Sequence, residues 1–162
     1  NLAESMIGKQ LTADEFFKHH AIVYEVGTDF FGEIAGLRAL RQLYYQVARA
    51  FEANKFLPED LKVLAISTAW TSDDYNPHAN MIKSTTAGMA AVLGGCNALY
   101  IEPEDASKPV MSRIAKNVSN ILKDEAHLND QVDPAAGAYY IEALTDKMAK
   151  EAWKIFQQKN EQ

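Results

Sequence analysis

Three segments rich in β-branched and aromatic residues alternate with long stretches of helical periodicity, and this alternation constrains the fold most. Ala21-Ile-Val-Tyr-Glu-Val26, Lys62-Val-Leu-Ala-Ile-Ser-Thr68 and Asn97-Ala-Leu-Tyr-Ile101 read as strands. The second is mostly apolar, which predicts burial on both faces. Before the first strand, Thr12-Ala-Asp-Glu opens a short helix, with Thr12 as N-cap and Glu15 at the capping-box position. Thr28 or Asp29 caps a long helix through about Glu52, with Phe30, Ile34, Leu37, Leu40, Tyr44, Val47 and Phe51 spaced by three and four. Pro58 and Asp60 mark a loop. After the second strand, a polar loop from Thr71 to Asn76 leads to Pro77, which suits a first helical turn. That helix carries Ile82, Thr86, Ala90 and Leu93 in step and stops at Gly94-Gly95. A further helix is expected from about Pro109 to Leu128, with Val110, Ile114, Val118, Ile121 and Glu125 aligned. Asp133-Pro134 and Gly137 break the chain, and a last helix aligns Ile141, Leu144, Met148, Ala152 and Ile155.

The order β-α-β-α-β-α-α implies right-handed βα units on a parallel sheet, an α/β fold. Three units are too few for a closed barrel, which needs eight strands and about 250 residues. The sheet is therefore open, or the chain is part of a (β/α)8 barrel. Periodicity alone does not choose between them. The 162 residues allow one domain with a real core. A net charge of −6 argues against nucleic acid or an anionic membrane as partner. No apolar run approaches the ~20 residues that span a bilayer. A lone Cys96 fits a reducing, cytoplasmic setting. The first residue is Asn1, which suits an excised piece of a longer protein.

The residues that carry chemistry are sparse. His19 and His20 are adjacent, so on a strand they would point to opposite faces and share no metal. His78 and His127 are isolated, and no Cys or carboxylate joins any histidine at zinc-like spacing, so no metal is expected. Neither a G-x-G-x-x-G nor a G-x-x-x-x-G-K-[ST] motif is present. Asp73-Asp74 follows the second strand, and Glu102, Glu104 and Asp105 follow the third. Both sets fall at the C-terminal face, where parallel βα folds place active sites. Both also read as solvated loop acids. Tyr139, Tyr140 and Trp153 fall on or beside the stripe of the final helix and are expected in the core.

Five blocks carry a resemblance. Phe30-Phe-Gly-Glu-Ile-Ala-Gly-Leu-Arg-Ala-Leu-Arg41 is similar to the FFxEIAKLRAxR helix of the methylmalonyl-CoA mutases. Asn76-Pro-His-Ala-Asn-Met-Ile-Lys-Ser-Thr-Thr86 resembles the family's DPYxNxxRTT. Ala90-Ala-Val-Leu-Gly-Gly95 resembles AAxxGG, and Ser112-Arg-Ile-Ala-Lys-Asn117 resembles SxRIARN. Asp133-Pro-Ala-Ala-Gly-Ala-Tyr-Tyr-Ile-Glu-Ala-Leu-Thr145 resembles DPAGGSYYVExLT. The blocks come in the family's order and cover roughly residues 20 to 158.

The resemblance implies a (β/α)8 barrel followed by a separate cobalamin-binding domain. It also implies an adenosylcobalamin-dependent radical interconversion of methylmalonyl-CoA and succinyl-CoA. By the same resemblance, residues 1–162 correspond to the C-terminal portion of the barrel domain. The D-x-H-x-x-G signature of the cobalamin domain is not among them. Nor is the barrel's first half, which carries the family's catalytic Tyr and His. Catalytic chains carry H-x-Q-T-S-G-W where this one reads Leu64-Ala-Ile-Ser-Thr-Ala-Trp70, so Leu64 and Ile66 replace His and Gln. They carry H-T-N-x-x-D-E where this one reads Tyr100-Ile-Glu-Pro-Glu-Asp-Ala106, so Tyr100, Glu102 and Ala106 replace His, Asn and Glu. The lost polar groups resemble contacts to substrate and adenosyl group. Small subunits of heterodimeric mutases depart at the same places and also resemble the Glu125 to Leu128 stretch.

The resemblance thus implies a non-catalytic small subunit that supports a catalytic large subunit, with no catalytic residue and no cofactor held by this chain alone. A fragment of a catalytic mutase chain and an independent open-sheet binding module are the alternatives. If the chain is part of a barrel, Leu64, Ile66 and Tyr100 point to its axis. The cut sheet should then self-associate as a two-fold dimer burying ~1,000 Å² or more.

Overall fold

Strands β1 (Ala21–Val26), β2 (Lys62–Ser67) and β3 (Ala98–Ile101) pair in parallel in the order β1-β2-β3. The computed structural model describes residues 2–9, 11–67 and 79–160. Around the sheet run α1 (Leu2–Met6), α2 (Ala13–Lys18), α3 (Phe30–Ala50), α4 (Ala79–Leu93), α5 (Pro109–Asn120) and α6 (Tyr139–Asn160).

Local chemistry sets the element ends. The capping box at α2 forms: Glu15 N donates to Thr12 Oγ1 at 3.3 Å, and Thr12 N donates to Glu15 Oε2 at 2.9 Å. Asp29, the second of the two expected caps, accepts from Gly32 N at 3.1 Å and starts α3. Glu33, one turn into α3, reaches back to accept from Gly27 N at 2.8 Å, closing the β1–α3 turn. Gly95 ends α4 at a φ of 85°, a conformation that favours glycine.

The register assigns each strand residue to a face. Ile22, Tyr24 and Val26 share a side with Val63, Ala65 and Ser67 and with Leu99 and Ile101. On that side Val26, Val63, Ala65, Ser67 and Ile101 are buried. The other face carries Val23 at 59% exposure and Tyr100 at 52%. Helices α4 and α5 pack on the buried side. Neighbouring parallel strands in sequential order, joined by right-handed crossovers, place every connecting helix on one face. This singly wound α/β arrangement has its helices on one side of a small parallel sheet. A doubly wound sheet instead reverses its strand order and is covered on both sides.

The core is an aromatic cluster of Phe17, Tyr44, Phe51 and Phe56 beside Leu37, Leu61 and Val63. A smaller cluster joins Ile34 of α3, Ala90 of α4 and Ile141 of α6, so α6 lies outside the two preceding helices.

Four expectations are corrected. The first is β2, which is buried on one face only; Leu64 and Ile66 are half-buried, and among the described residues no layer lies over them. The second is α4, which turns small residues inward (Ser84, Ala87, Gly88, Ala91) and leaves Ile82 74% exposed. The close approach explains this, since a Cβ on Gly88 would lie 2.9 Å from Ile101 Cδ1. The third is α5, which ends at Asn120 and passes into a π turn over Ile121–Glu125, with Ala126 N donating to Ile121 O at 2.8 Å. The wider turn buries Leu122 near Gly88 and leaves Val110 and Ile121 exposed. The fourth is the tyrosine pair: Tyr139 is 89% exposed and Tyr140 61%, while Trp153 is half-buried.

Helix α3 packs on the end of the Tyr24 side chain at Gly36, where a Cβ would collide with the tyrosine hydroxyl and lie 3.4 Å from Met148 Cε. Burial, then the nearby charge of Glu33, pushes that phenol up to about 12. The half-buried ring, wedged against α3, has little room to swing aside. Gly36→Ala gains up to ~1 kcal/mol in helix propensity, while overpacking costs ~1–3 kcal/mol, so net destabilisation is expected. Urea unfolding measures it, and a more stable Gly36→Ala variant would contradict the close approach.

Candidate functional site

The open sheet face holds the sequence-predicted positions Leu64, Ile66 and Tyr100 together. Its residues form rows across the strands: Ala21 beside Lys62, Val23 beside Leu64 and Ala98, Glu25 beside Ile66 and Tyr100. The centre is aliphatic and aromatic. The two charged residues of the face, Glu25 and Lys62, stand at opposite ends.

Past β3, Glu102 and Glu104 are half-buried beside Met81, Ser84 and Met111. Ala106 sits apart in an exposed turn. There Asp105 Oδ1 accepts from Ser107 N at 3.0 Å, and Asp105 Oδ2 pairs with Lys108 Nζ at 3.0 Å. The Ser107 hydroxyl, then Lys108, holds the Asp105 carboxyl below the usual range. This is a turn-closing acid, so of the five degenerate positions only Leu64, Ile66 and Tyr100 converge.

The histidines lie elsewhere. His19 caps α2 at its C-terminus. His20 stacks on Phe16 at a 4.0 Å centroid distance, with Nδ1 2.6 Å from Phe16 O. His127 is exposed, 3.5 Å from Asp130 Oδ2. Among the described residues no group of three or more His, Cys, Asp or Glu side chains could hold a metal ion. Asp73, Asp74, His78, Pro77 and Trp70 lie outside the described residues.

Two arginines inside the α3 motif turn out to organise the frame. Arg41 Nη1 donates to Leu61 O at 2.8 Å and Pro58 O at 3.1 Å; its Nη2 donates to Gly95 O and, at 2.9 Å, to Asn97 Oδ1. Asn97 Oδ1 also accepts from Val63 N at 2.9 Å. One side chain therefore ties the segments entering β2 and β3. Desolvation lowers the Arg41 pKa from its ordinary value. Cys96 beside it is buried enough that its thiol is pushed up to about 11, against the opposing pull of Arg41, so it is a protonated packing residue rather than a nucleophile. Arg38 Nη1 pairs with Asp133 Oδ1 at 2.5 Å and Nη2 with Glu142 Oε1 at 2.7 Å, joining α3 to the start of α6. Glu142 Oε1 also accepts from Gly137 N at 3.0 Å. Gly137 and Asp133 sit at φ 79° and 50°, the turn these contacts hold. The available signal was charge on an apolar helix, since mostly buried arginines need partners.

The methylmalonyl-CoA mutase family model matches residues 2–162. The methylmalonyl-CoA mutase small subunit of Porphyromonas gingivalis is 33% identical over 139 residues, covering 82% of this chain and 22% of that protein. The methylmalonyl-CoA mutase of Escherichia coli is 34% identical over 167 residues, covering 98% and 23%. The large subunit from Porphyromonas gingivalis is 26% identical over 155 residues, covering 93% and 22%. The chain spans about a quarter of the length of these relatives.

The Arg38–Glu142 contact yields a pH test. The Gly137 amide, then Arg38, holds the exposed Glu142 carboxyl below its usual range. A folded pKa below the unfolded one stabilises above the unfolded value, and that stability is lost as pH falls through the folded value. Glu142→Gln should therefore be less stable than the parent at neutral pH, and the gap should close in acid. Denaturation at a series of pH values measures it; a gap independent of pH would contradict the ionic contribution.

Proposed function

Because the chain belongs to the methylmalonyl-CoA mutase family, we propose that it supplies the last three βα units of a mutase barrel in a small, non-catalytic subunit. Its role is to support a catalytic large subunit that interconverts methylmalonyl-CoA and succinyl-CoA. The observation that carries this reading is the convergence of Leu64, Ile66 and Tyr100 on one open sheet face. Ile66 and Tyr100 are direct neighbours in register, and Leu64 stands two residues below Ile66 on the same side. Catalytic chains of the family carry hydrogen-bonding side chains at these positions. A binding or radical site needs such groups placed in advance, and aliphatic carbon at Leu64 and Ile66 supplies none. Large apolar side chains on the inner face instead fill a barrel axis.

The sequential strand order and the one-sided helix layer support the partial-barrel part of this reading. Residues 1–162 then form the C-terminal portion of the barrel domain. The alternative of a catalytic fragment conflicts with Leu64 and Ile66. An independent module conflicts with the uncovered apolar face. No described helix is long and apolar enough to cross a membrane, and a cytoplasmic setting suits the free Cys96.

The family implies adenosylcobalamin. The positions that depart from the catalytic pattern do not fit it: Leu64 and Ile66 offer a nucleoside no donor or acceptor, Glu25 and Tyr100 are the polar neighbours left beside Ile66, and no described histidine reaches that face. The group is therefore assigned to the catalytic partner.

The chain alone, given methylmalonyl-CoA and adenosylcobalamin, should show no turnover above the cofactor-only background and no change in the cobalamin visible spectrum. Turnover or tight cobalamin binding would overturn the reading. A large subunit carrying a polar-lined barrel should retain the chain on co-purification.

A further inference from the structure

Helix α6 is attached to the molecule by a packing seam of its own. The aromatic core around Phe17, Phe56 and Leu61 draws on α3, α4 and the strands but on no residue of 126–160. Helix α6 joins Ile34 and Ala90 through Ile141 instead, and its chief packing partner is α3. The strap that leads into it, residues 126–138, rests on little. Among the described residues its backbone hydrogen bonds are local: Ala126 N donates to Ile121 O, Leu128 N to Leu122 O, Asp130 N to His127 O, Ala136 N to Asp133 O and Ala138 N to Ala135 O. A cavity of about 410 Å³ separates Gln131, Val132 and Asp133 of the strap from Arg41, Leu93 and Gly94. His127 and Asp133 sit at φ 51° and 50°, in the left-handed region that strains a side chain.

One guanidinium holds both parts. Arg38, its side chain 12% exposed, gives Nη1 to Asp133 of the strap at 2.5 Å and Nη2 to Glu142 of α6 at 2.7 Å. Its Nε is nevertheless buried without a partner, and so is the Thr145 hydroxyl of α6. Docking α6 therefore strips water from two polar groups without replacing its hydrogen bonds, which offsets part of what the ion pairs and Ile141 contribute. We propose that the strap and α6, residues 126–160, open together as one unit while the sheet and its aromatic core stay folded, with Arg38 as the latch that holds both shut. Three states then matter: closed, open at α6, and unfolded. Losing the latch weakens the closed state against both others. A change in the aromatic core weakens the closed and open states equally against the unfolded one, so it leaves the opening of α6 untouched. The inference rests on contacts inside the chain and is independent of the mutase reading.

Hydrogen exchange of the 162-residue chain, followed by mass spectrometry at a series of low urea concentrations, decides it. Amides of 143–153 in α6 should exchange through an opening that is about tenfold or more easier than the one that frees 62–67 in β2. That opening should also depend less on urea, because it exposes less surface. Val63→Ala, in the aromatic core, should speed exchange of 62–67 about tenfold and leave 143–153 within about twofold of the parent. Arg38→Met keeps the apolar stem and removes the latch, so it should speed both regions by the same factor, about five- to tenfold. Circular dichroism confirms that each variant folds. A single opening for both regions with one urea slope, read in the parent alone, would overturn the proposal. So would a Val63→Ala variant that speeds 143–153 as much as 62–67, or an Arg38→Met variant that leaves 143–153 unchanged.

Discussion

Right-handed crossovers between adjacent parallel strands leave no choice about where the connecting helices go. They put α3 and α4 on the same side of β1, β2 and β3, α5 packs against α4 and β3 there, and the rest of the molecule follows. One face becomes core, with Val26, Val63, Ala65 and Ile101 sealed beneath the helices. The other becomes an apolar surface with no layer of its own. Close packing on the covered side depends on small residues: Gly36 accommodates the Tyr24 hydroxyl, and Gly88 admits Ile101 and Leu122. Arg41 fixes the segments entering β2 and β3, and so helps set the register that aligns Ile66 with Tyr100.

The elements with strong local signals were legible in the sequence. β1 spans the residues its β-branched run marks, and α2 carries the capping box that Thr12 and Glu15 announce. The side on which each connecting helix packs was not legible, because periodicity reports which face is apolar and not which side the next helix takes. The stripe of α4 was misread for a related reason. Ser84, Ala87 and Gly88 carry little hydrophobic weight, yet only small side chains allow the helix so near β3. Ile82 carries much weight and meets nothing. For β2, an apolar run signals cover on both faces, but among the described residues only one face is covered. The exit of α5 through a π turn is decided by where Leu122 must reach, a tertiary demand with no local signature.

The family-like blocks divide into two kinds once placed in space. Those that match the family pattern form the frame: Glu33 at the start of α3, Arg38 with Asp133 and Glu142, and Arg41 with Gly95. Of the positions that depart from it, Leu64, Ile66 and Tyr100 stand on the open face, where a catalytic barrel would need polar groups, while Glu102 and Ala106 lie past β3. A chain that keeps the frame and replaces the lining can hold a barrel's shape without serving its reaction, which is the role proposed for it.

The central claim is that β2 is covered on one side only. Thiol labelling of single-cysteine variants tests it most directly. Val63→Cys, Leu64→Cys, Ala65→Cys and Ile66→Cys would each be made in a Cys96→Ser background and labelled in solution dilute enough to keep the chain monomeric. The account predicts strict alternation: rapid labelling at 64 and 66, and protection at 63 and 65 that is lost only on unfolding. Equal protection at all four positions would mean that a second layer covers the sheet, and would contradict it.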